Sequence, residues 1–279
     1  MDTNEKPVDI KRLIASKNKF LANIIPGFLY HKLGKLLHVD SINQLLTENK
    51  DKLGVDFADA MIKHFNVKVV LEGTENINPD GRYIIAGNHP LGGMDGIALI
   101  STVGNISNKG IIFPVNDVLW MLENLRPVFA RINKFGSNRD NIQTLKETFA
   151  GEKTVLYFPA GLCSRKQKNG TICDLEWKST VISQARRNKR DIIPVFVDAL
   201  NTPRFYNIAY NRKKWGIKFN IEQLFLVDEC YKYNNKQLHL IFGEPIPYSY
   251  WDKSHTDLEW AEILKQKVYA LKPLNFNRD

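Results

Sequence analysis

An α/β fold is predicted for this chain: a mixed, largely parallel sheet flanked by helices, with an N-terminal helical hairpin. From Val67 onward, short apolar runs alternate with helical segments, which is the pattern of α/β architecture. Residues 10–66 read as helix without such runs. With 279 residues, the chain can bury a full hydrophobic core. We therefore expect a helical segment over residues 1–66 and an α/β domain over residues 67–279.

The N-terminal segment contains a stretch, Lys19 to Leu37, in which large apolar residues are mixed with lysines. A Pro26-Gly27 pair interrupts it. Its apolar members are Phe20, Leu21, Ile24, Ile25, Phe28, Leu29, Leu33, Leu36 and Leu37. This composition fits two interfacial helices lying among lipid head groups, and it fits a packed hairpin over the core equally well. No run reaches the roughly 18 to 20 apolar residues that a membrane-spanning helix needs.

Seven strands and several helices follow from the apolar pattern. The strands are expected at Val67–Leu71, Tyr83–Ala86, Gly110–Val115, Pro127–Ile132, Thr154–Phe158, Ile192–Val197 and Leu238–Phe242. The helices are expected at Phe57–Phe65, Gly93–Val103, Asn116–Glu123, Asn138–Ala150, Leu175–Asn188 and Asp257–Leu271. The last of these opens with Thr256-Asp-Leu-Glu259, a capping-box pattern. Residues 201–236 are basic and aromatic, and no element is assigned to them.

The net charge of +9 indicates which kinds of molecule could bind this protein. A surface this basic favours nucleic acid, an anionic membrane face or an acidic protein. The three cysteines, Cys163, Cys173 and Cys230, form no CxxC pair and no metal-like spacing with histidine. They argue against a disulfide framework and for a reducing compartment. The N-terminus lacks a signal-peptide pattern, so we expect a cytoplasmic protein, peripheral on the inner face of the cell membrane.

The first block that carries chemistry is Asn88-His-Pro-Leu-Gly-Gly-Met-Asp95, directly after an apolar strand. His89 should therefore emerge at the carboxyl edge of the sheet, where α/β proteins place their sites. The Asp95 carboxylate can accept the Nδ1 proton of His89 and leave Nε2 ready to take a proton from a hydroxyl or amine. The backbone amides of Gly92 and Gly93 are expected to be available for an oxyanion or phosphate.

The second block is Phe158-Pro-Ala-Gly-Leu-Cys-Ser-Arg165, which also follows a strand and precedes Lys166 and Lys168. The Pro159-to-Gly161 turn can bring backbone close to a ligand, and Arg165 offers a fork for carboxylate or phosphate. A solvated basic turn is the alternative. Ser164 is expected to hydrogen-bond the ligand or to cap the turn. Cys163 is a weaker candidate nucleophile, because no second histidine stands in a partner motif.

The two blocks resemble motifs of the glycerolipid acyltransferase family, the lysophosphatidate acyltransferase-like proteins. The first resembles Asn-His-x-Ser-x-x-Asp, whose histidine and aspartate are the catalytic pair in that family. The second resembles Phe-Pro-Glu-Gly-Thr-x-Ser-Arg. Pro127 to Lys134 matches the second family motif weakly, with Arg131 in the basic position, and Ile192-Ile-Pro-Val195 matches the fourth. The resemblance spans about Val67 to Val197, with the motifs in the family's order.

Two departures from the family pattern concern the acceptor. Five residues separate His89 from Asp95 where the family has four, and Ala160 and Leu162 replace the expected Glu and Thr. Those two residues help to bind glycerol phosphate in the family. The form seen here is similar to a hemolysin-like bacterial branch, some of whose members acylate the hydroxyl of lyso-ornithine or lyso-glycine lipids. We expect that acceptor class ahead of 1-acylglycerol-3-phosphate.

The resemblance implies a membrane-associated O-acyltransferase that uses His89 and Asp95 for catalysis. It implies a substrate site of Asn88, Gly92, Gly93, Arg131, Pro159, Gly161, Ser164 and Arg165. Acyl-carrier protein (ACP) is the expected donor because it is acidic, with acyl-CoA as the alternative. We expect no metal, no cofactor beyond that thioester and no nucleic acid partner. The rival hypotheses are a non-catalytic basic membrane-binding protein and a nucleotide-binding protein, although Gly87–Gly93 matches neither phosphate-loop pattern.

Overall fold

The computed structural model describes residues 23–116, 119–132, 138–217 and 220–273, together with residues 8, 10, 11 and 15. Its strands are β1 (Lys68–Glu72), β2 (Ile84–Gly87), β3 (Ile111–Asn116), β4 (Phe129–Ile132), β5 (Thr154–Tyr157), β6 (Arg165–Lys166), β7 (Ile172–Cys173), β8 (Ile192–Asp198) and β9 (Gln237–Phe242). Its α-helices are α1 (Gly27–Leu36), α2 (Val39–Glu48), α3 (Val55–His64), α4 (Met94–Ile106), α5 (Asn138–Ala150), α6 (Thr180–Asn188), α7 (Pro203–Lys214), α8 (Leu226–Lys232) and α9 (Asp257–Ala270).

Seven of these strands form one sheet in the order β1-β9-β8-β2-β5-β3-β4. The five strands from β8 to β4 run parallel to one another, whereas β9 pairs antiparallel with β8 and parallel with β1. β6 and β7 form a separate antiparallel pair. The predicted fold class, a mixed and largely parallel sheet flanked by helices, is therefore confirmed.

The central strands are apolar along their whole length because helices cover both faces of the sheet. In β2, Ile85 belongs to a hydrophobic cluster with Phe57 of α3 and Leu99 of α4. The neighbouring Ile84 belongs to a cluster on the opposite face, with Leu264 of α9. This alternation along a strand is the two-residue period of side chains in a sheet. Both layers are built from residues that the sequence marks as apolar runs.

The helical segment before β1 divides into a packed part and an exposed part. Phe57 of α3 is 1% exposed and lies in the main core. By contrast, α1 has no buried residue, and its Phe28 is 61% exposed. Phe20 and Leu21 lie outside the described residues. The boundary expected after residue 66 stays a prediction. Within the described part of the chain, no helix combines the length and apolarity needed to cross a bilayer.

Most predicted elements lie within two residues of their observed bounds, and the capping box at Thr256 and Glu259 is present. The predicted helix at Asn116–Glu123 is wrong. Strand β3 ends at Asn116, whose side chain accepts the amide of Leu119 at 3.2 Å, and short 3-10 turns follow at Leu119–Met121 and Glu123–Val128. An asparagine that bonds the backbone in this way favours a turn over a helix.

Three further differences concern element starts and the unassigned region. The strand expected from Pro127 begins at Phe129, because Pro127 lies inside a 3-10 turn that ends at Val128. The helix expected from Leu175 begins at Thr180, since the backbone before it is held elsewhere, with the Lys178 amide donating to the Pro159 carbonyl at 3.1 Å. Residues 201–236 form α7, a 3-10 turn at Ile221–Phe225, and α8.

Candidate active site

Three loops meet at the carboxyl edge of the parallel strands. They follow β2, β5 and β8, which are neighbours in the sheet, with Ile84 of β2 in register with Val155 of β5 and Ile192 of β8. Parallel strands end at the same edge, so residues far apart in sequence come together there. The first loop carries His89, the second carries residues 158–164, and the third carries Asn201.

His89 and Asp95 face each other as the sequence predicts. His89 Nδ1 lies 2.9 Å from Asp95 Oδ2. The imidazole is stacked on Phe158, with ring centroids 4.0 Å apart and planes 18° apart. Its side chain is 17% exposed, whereas that of Asp95 is fully buried. Among the described residues, nothing hydrogen-bonds to His89 Nε2, so this nitrogen can receive a proton from a ligand.

The Asp95 carboxylate organises the loop as well as the imidazole. Oδ2 accepts the amides of Leu91 and Gly92 at 2.9 and 3.3 Å, and Oδ1 accepts those of Gly93 and Gly96 at 3.0 and 2.9 Å. Burial by itself would raise the pKa of this carboxyl, but the charge and hydrogen bond of His89, together with these amides, hold it below the ordinary value. Asp95 is therefore ionised and can orient the Nδ1 proton of His89.

The expectation that the Gly92 and Gly93 amides are available for an oxyanion is wrong in this structure. Both donate to the carboxylate of Asp95, which lies in the first turn of α4. Glycine is still required at position 92, where φ is +78° and a Cβ atom would lie 2.9 Å from Leu226. These two glycines therefore shape the loop and hold the carboxylate.

Asp174 is a buried residue that sequence reasoning missed. Its Oδ1 accepts the Ser164 hydroxyl at 2.6 Å and the His89 amide at 3.2 Å, and its Oδ2 accepts the Trp177 indole at 2.9 Å. Burial raises the pKa of its carboxyl. The sequence carries no motif around it, and 85 residues separate it from His89. Asp174 ties the first loop to the second.

Ser164 and Arg165 make internal contacts where ligand contacts were expected. Ser164 donates its hydroxyl to Asp174 and its amide to the His89 carbonyl, the latter at 2.7 Å. The Arg165 guanidinium donates to the Cys163 carbonyl at 2.6 Å and to Glu222 at 3.0 Å. The Arg165 side chain is 10% exposed. The guanidinium group of Arg165 thus pairs with the buried carboxylate of Glu222 in place of a ligand.

Asn88 also makes internal contacts. Its side-chain amide donates to the Val197 carbonyl at 3.0 Å and accepts the Val197 amide at 2.7 Å, extending the pairing between β2 and β8. It is 3% exposed, so the expected ligand contact is replaced by a structural one.

The remaining predicted residues lie at different distances from the cluster. Pro159 is buried and Gly161 is exposed in the loop after β5, where Gly161 adopts φ +67°. Arg131 is exposed on β4, with its guanidinium 6.0 Å from the centre of the Trp120 ring. The sheet order places β4 three strand positions from β2, or about 14 Å. The sheet therefore does not bring the Arg131 backbone next to His89.

Cys163 has the environment of a structural thiol. It is 3% exposed, and burial raises its pKa to about 11. The nearby Arg165 cation lowers that pKa by less than burial raises it. Because the thiolate is the nucleophilic form of cysteine, this thiol is poorly suited to attack. The described residues contain no group of three or more His, Cys, Asp or Glu side chains placed to hold a metal ion.

Comparison with known proteins gives consistent matches. A profile of the family described as acyltransferase matches residues 12–275. The chain is 42% identical over 265 residues to a lyso-glycine lipid O-acyltransferase of Bacteroides thetaiotaomicron, covering 95% of this chain and 97% of that relative. It is 39% identical to a lyso-glycine lipid O-acyltransferase of Phocaeicola vulgatus, covering 95% of each.

Among solved structures, the chain is similar to the 1-acyl-sn-glycerophosphate acyltransferase PlsC from Thermotoga maritima. The TM-score is 0.48 at 16% identity, and the match covers 79% of this chain and 78% of that one.

Proposed function

This chain belongs to the acyltransferase family and is an enzyme that transfers acyl groups; on that premise we propose that it moves a fatty acyl group from a thioester to the hydroxyl of a lyso amino-acid lipid. His89 is the general base in this proposal, and Asp95 orients it. The observation that carries it is the 2.9 Å contact between His89 Nδ1 and Asp95, which leaves Nε2 of a partly exposed ring for the acceptor.

The proposed reaction proceeds by direct transfer. Nε2 of His89 takes the proton of the acceptor hydroxyl as its oxygen attacks the thioester carbonyl. Asp95, kept ionised by its low pKa, stabilises the imidazolium that forms. The tetrahedral intermediate then expels the thiolate, which takes the proton back from His89, and an ester remains. The acyl thioester is a co-substrate, and this proton transfer uses no further cofactor.

The lyso-lipid acceptor is supported by the names of both curated relatives, which are lyso-glycine lipid O-acyltransferases. It is also supported by Ala160, which stands where the glycerophosphate-acylating pattern has a glutamate. Ala160 is 7% exposed. A methyl group there cannot hydrogen-bond a glycerol phosphate. Lyso-glycine lipid is therefore the first acceptor to test, with lyso-ornithine lipid next and 1-acylglycerol-3-phosphate as the comparison.

Acyl-ACP is the proposed donor, with acyl-CoA as the alternative. ACP is acidic, and the net charge of this chain is +9. Opposite net charges accelerate the encounter of two proteins. A donor preference for acyl-ACP that weakens with added salt is expected.

Peripheral membrane contact is proposed for two exposed groups of side chains. The first lies at and just before α1 and includes Ile24 and Phe28, which are 57% and 61% exposed, together with Lys32. The second lies at the end of α7, where Trp215 is 72% exposed beside Lys214. Aromatic and aliphatic side chains next to lysines suit the head-group region of an anionic membrane.

The deciding experiment is acyl transfer by purified wild type and His89→Ala, with acyl-ACP and lyso-glycine lipid as substrates and lipid mass spectrometry as readout. Loss of the general base should slow transfer by about 10²–10⁴-fold, with an unchanged circular dichroism spectrum. His255→Ala is the matched control, because His255 is an exposed histidine outside the cluster. Wild-type transfer by His89→Ala would overturn the mechanism. Transfer only to 1-acylglycerol-3-phosphate would overturn the acceptor.

A further inference from the structure

A cavity of about 290 Å³ lies between the β6–β7 pair and the start of α7. Its walls include Ile172, Leu200 and Tyr206, which are apolar over most of their surface, and the amides Asn201 and Asn207. Of the described residues that line the cavity, only Lys166 is charged. The cavity thus combines a mostly apolar wall with one cation.

Hydrogen bonds connect this cavity to the loop that carries His89. Asn201 donates its side-chain amide to the carbonyls of Pro90 and Leu91 at 3.2 and 3.1 Å, and the Tyr206 hydroxyl lies 3.4 Å from the Pro90 carbonyl. These two cavity residues therefore contact the backbone immediately after His89. The cavity therefore adjoins the loop that carries the candidate catalytic histidine.

Lys166 is connected to the same histidine through the second loop. The amide of Ser164 donates to the His89 carbonyl at 2.7 Å. Lys166 is two residues farther along, and two residues of extended chain span about 7 Å. A lysine side chain reaches a similar distance again. An anionic group held by Lys166 can therefore belong to the same small molecule whose hydroxyl meets His89.

The charge of Lys166 is not neutralised within the described part of the protein. Its ammonium group lies 3.4 Å from the neutral amide oxygen of Asn207, and the side chain is exposed. The preceding Arg165 points the other way and pairs with Glu222 at 3.0 Å. This opposition follows from the alternation of side chains along a strand. Arg165 is used internally, and Lys166 faces the cavity.

We propose that this cavity binds the carboxylate head group of the acceptor lipid and that Lys166 forms an ion pair with that carboxylate. The inference rests on the proposed function and specifies how its acceptor is recognised. A glycine joined to the lipid through its nitrogen presents one negative charge, which one lysine matches. The apolar wall then receives the start of the acyl chain. Lys166 is a specificity residue in this proposal and takes no part in proton transfer.

The N-terminus of helix α7 does not supply the anion site by itself. The Thr202 amide and hydroxyl, at the start of that helix, donate to the buried Glu229 at 2.6 and 2.7 Å. A carboxylate of the protein therefore already occupies this helix end. Lys166 is therefore the charged group left to bind an anion in this cavity.

The test compares wild type, Lys166→Gln and Lys168→Gln on lyso-glycine lipid and on its primary amide, which lacks the charge. Lys168 is the matched control, because it is an exposed lysine of the same turn that does not line the cavity. Lys166→Gln removes a hydrogen-bonded ion pair with the carboxylate, so it should raise KM for the lyso-glycine lipid about tenfold. We expect kcat to be unchanged, KM for the amide to be unaffected by the substitution, and Lys166→Arg to restore most of the affinity.

Two failures can be told apart. A wild-type enzyme that is active on the lyso-glycine lipid, with a Lys166→Gln variant of equal KM, overturns this inference alone. The same holds if the substitution raises KM equally for the acid and the amide, since the effect is then independent of the carboxylate. A wild-type enzyme inactive on lyso-glycine lipid overturns the proposed acceptor and this inference with it.

Discussion

At the residue scale, the Asp95 carboxylate both orients the imidazole of His89 and holds the loop around it. It accepts one hydrogen bond from His89 and one each from the amides of Leu91, Gly92, Gly93 and Gly96. An ionised carboxylate is the only side chain of this size that accepts from so many donors without offering a proton. The same group therefore links the stability of the loop to the chemistry of the site.

Asp95→Asn should lower both stability and activity. The amide nitrogen must face backbone N–H groups, so we expect a loss of about 3 kcal/mol in the free energy of unfolding at pH 7. With the Nδ1 proton of His89 no longer oriented, acyl transfer should fall by about 10³–10⁴-fold. Urea denaturation and acyl transfer assays measure the two effects. A variant as stable as wild type would contradict the role assigned to this carboxylate.

The pH dependence of stability provides a second measurement on the same residue. The pKa of Asp95 is lower in the folded chain than its ordinary value of 3.8. Its contribution is therefore complete above about pH 4 and is lost as pH falls through the folded pKa. The stability difference between wild type and Asp95→Asn should shrink below pH 4. A constant difference from pH 7 to pH 3 would show that the lowered pKa does not stabilise the fold.

At the element scale, one buried carboxylate joins three elements beside the site. Glu222, in the 3-10 turn Ile221–Phe225, is fully buried and pairs with Arg165 of β6 at 3.0 Å and with Arg212 of α7 at 2.8 Å. The Arg165 guanidinium also lies 5.3 Å from the Phe205 ring centre on α7. Walls of the cavity that Lys166 faces come from two of these elements, β6 and α7, so Glu222 links the two elements through their arginines.

Glu222→Gln should destabilise the fold by about 3 kcal/mol, because it leaves two largely buried guanidinium groups without a counter-charge. The matched control is Glu262→Gln on α9. Glu262 is 51% exposed and lies 3.9 Å from Lys265, so its loss should cost less than about 1 kcal/mol. Chemical denaturation of both variants measures the difference. Equal unfolding midpoints would mean that the buried pair does not hold these elements together.

At the scale of the whole molecule, the exposed apolar side chains and the net charge of +9 both suit the contact with an anionic membrane that we propose. The His38 side chain, just after α1, is 3.0 Å from Asp228 of α8 and stacks on Tyr231 with ring centroids 4.0 Å apart. The α1 region is thereby fixed to the region that follows α7 in the chain. Two separate exposed groups, at Phe28 and at Trp215, are thus carried by connected elements.

Trp215→Ala and Phe28→Ala should each weaken binding to anionic phospholipid vesicles by about tenfold, since each removes a large apolar side chain from the interface. Leu258→Ala on α9 is the control, because Leu258 is a similarly exposed apolar residue, at 48%, that belongs to neither group. Vesicle co-sedimentation at low and high salt measures the affinities. If Leu258→Ala weakens binding as much as the other two, the assigned surface is wrong.

Strands and helices were predictable where local pattern decides them. β5 and α5 start at the expected residues, and α9 starts at its capping box, because apolar period and cap chemistry are local. The segment after β3 was not predictable in this way, since its turns depend on a hydrogen bond to the Asn116 side chain and include Pro127 in a 3-10 turn. The pairing of β9 antiparallel to β8 leaves no local mark in the sequence either.

The sequence by itself determined the His89 and Asp95 pair, because Asp95 follows His89 by six positions around a tight glycine loop, a separation at which an imidazole and a carboxylate can meet. Only the tertiary structure decided which polar groups face inward. Asp174, Glu222 and Val197 use Ser164, Arg165 and Asn88 as internal partners. Buried polar groups must be paired, and those pairs join residues distant in sequence. Packing therefore left Lys166, rather than Arg165, facing the cavity that adjoins the His89 loop.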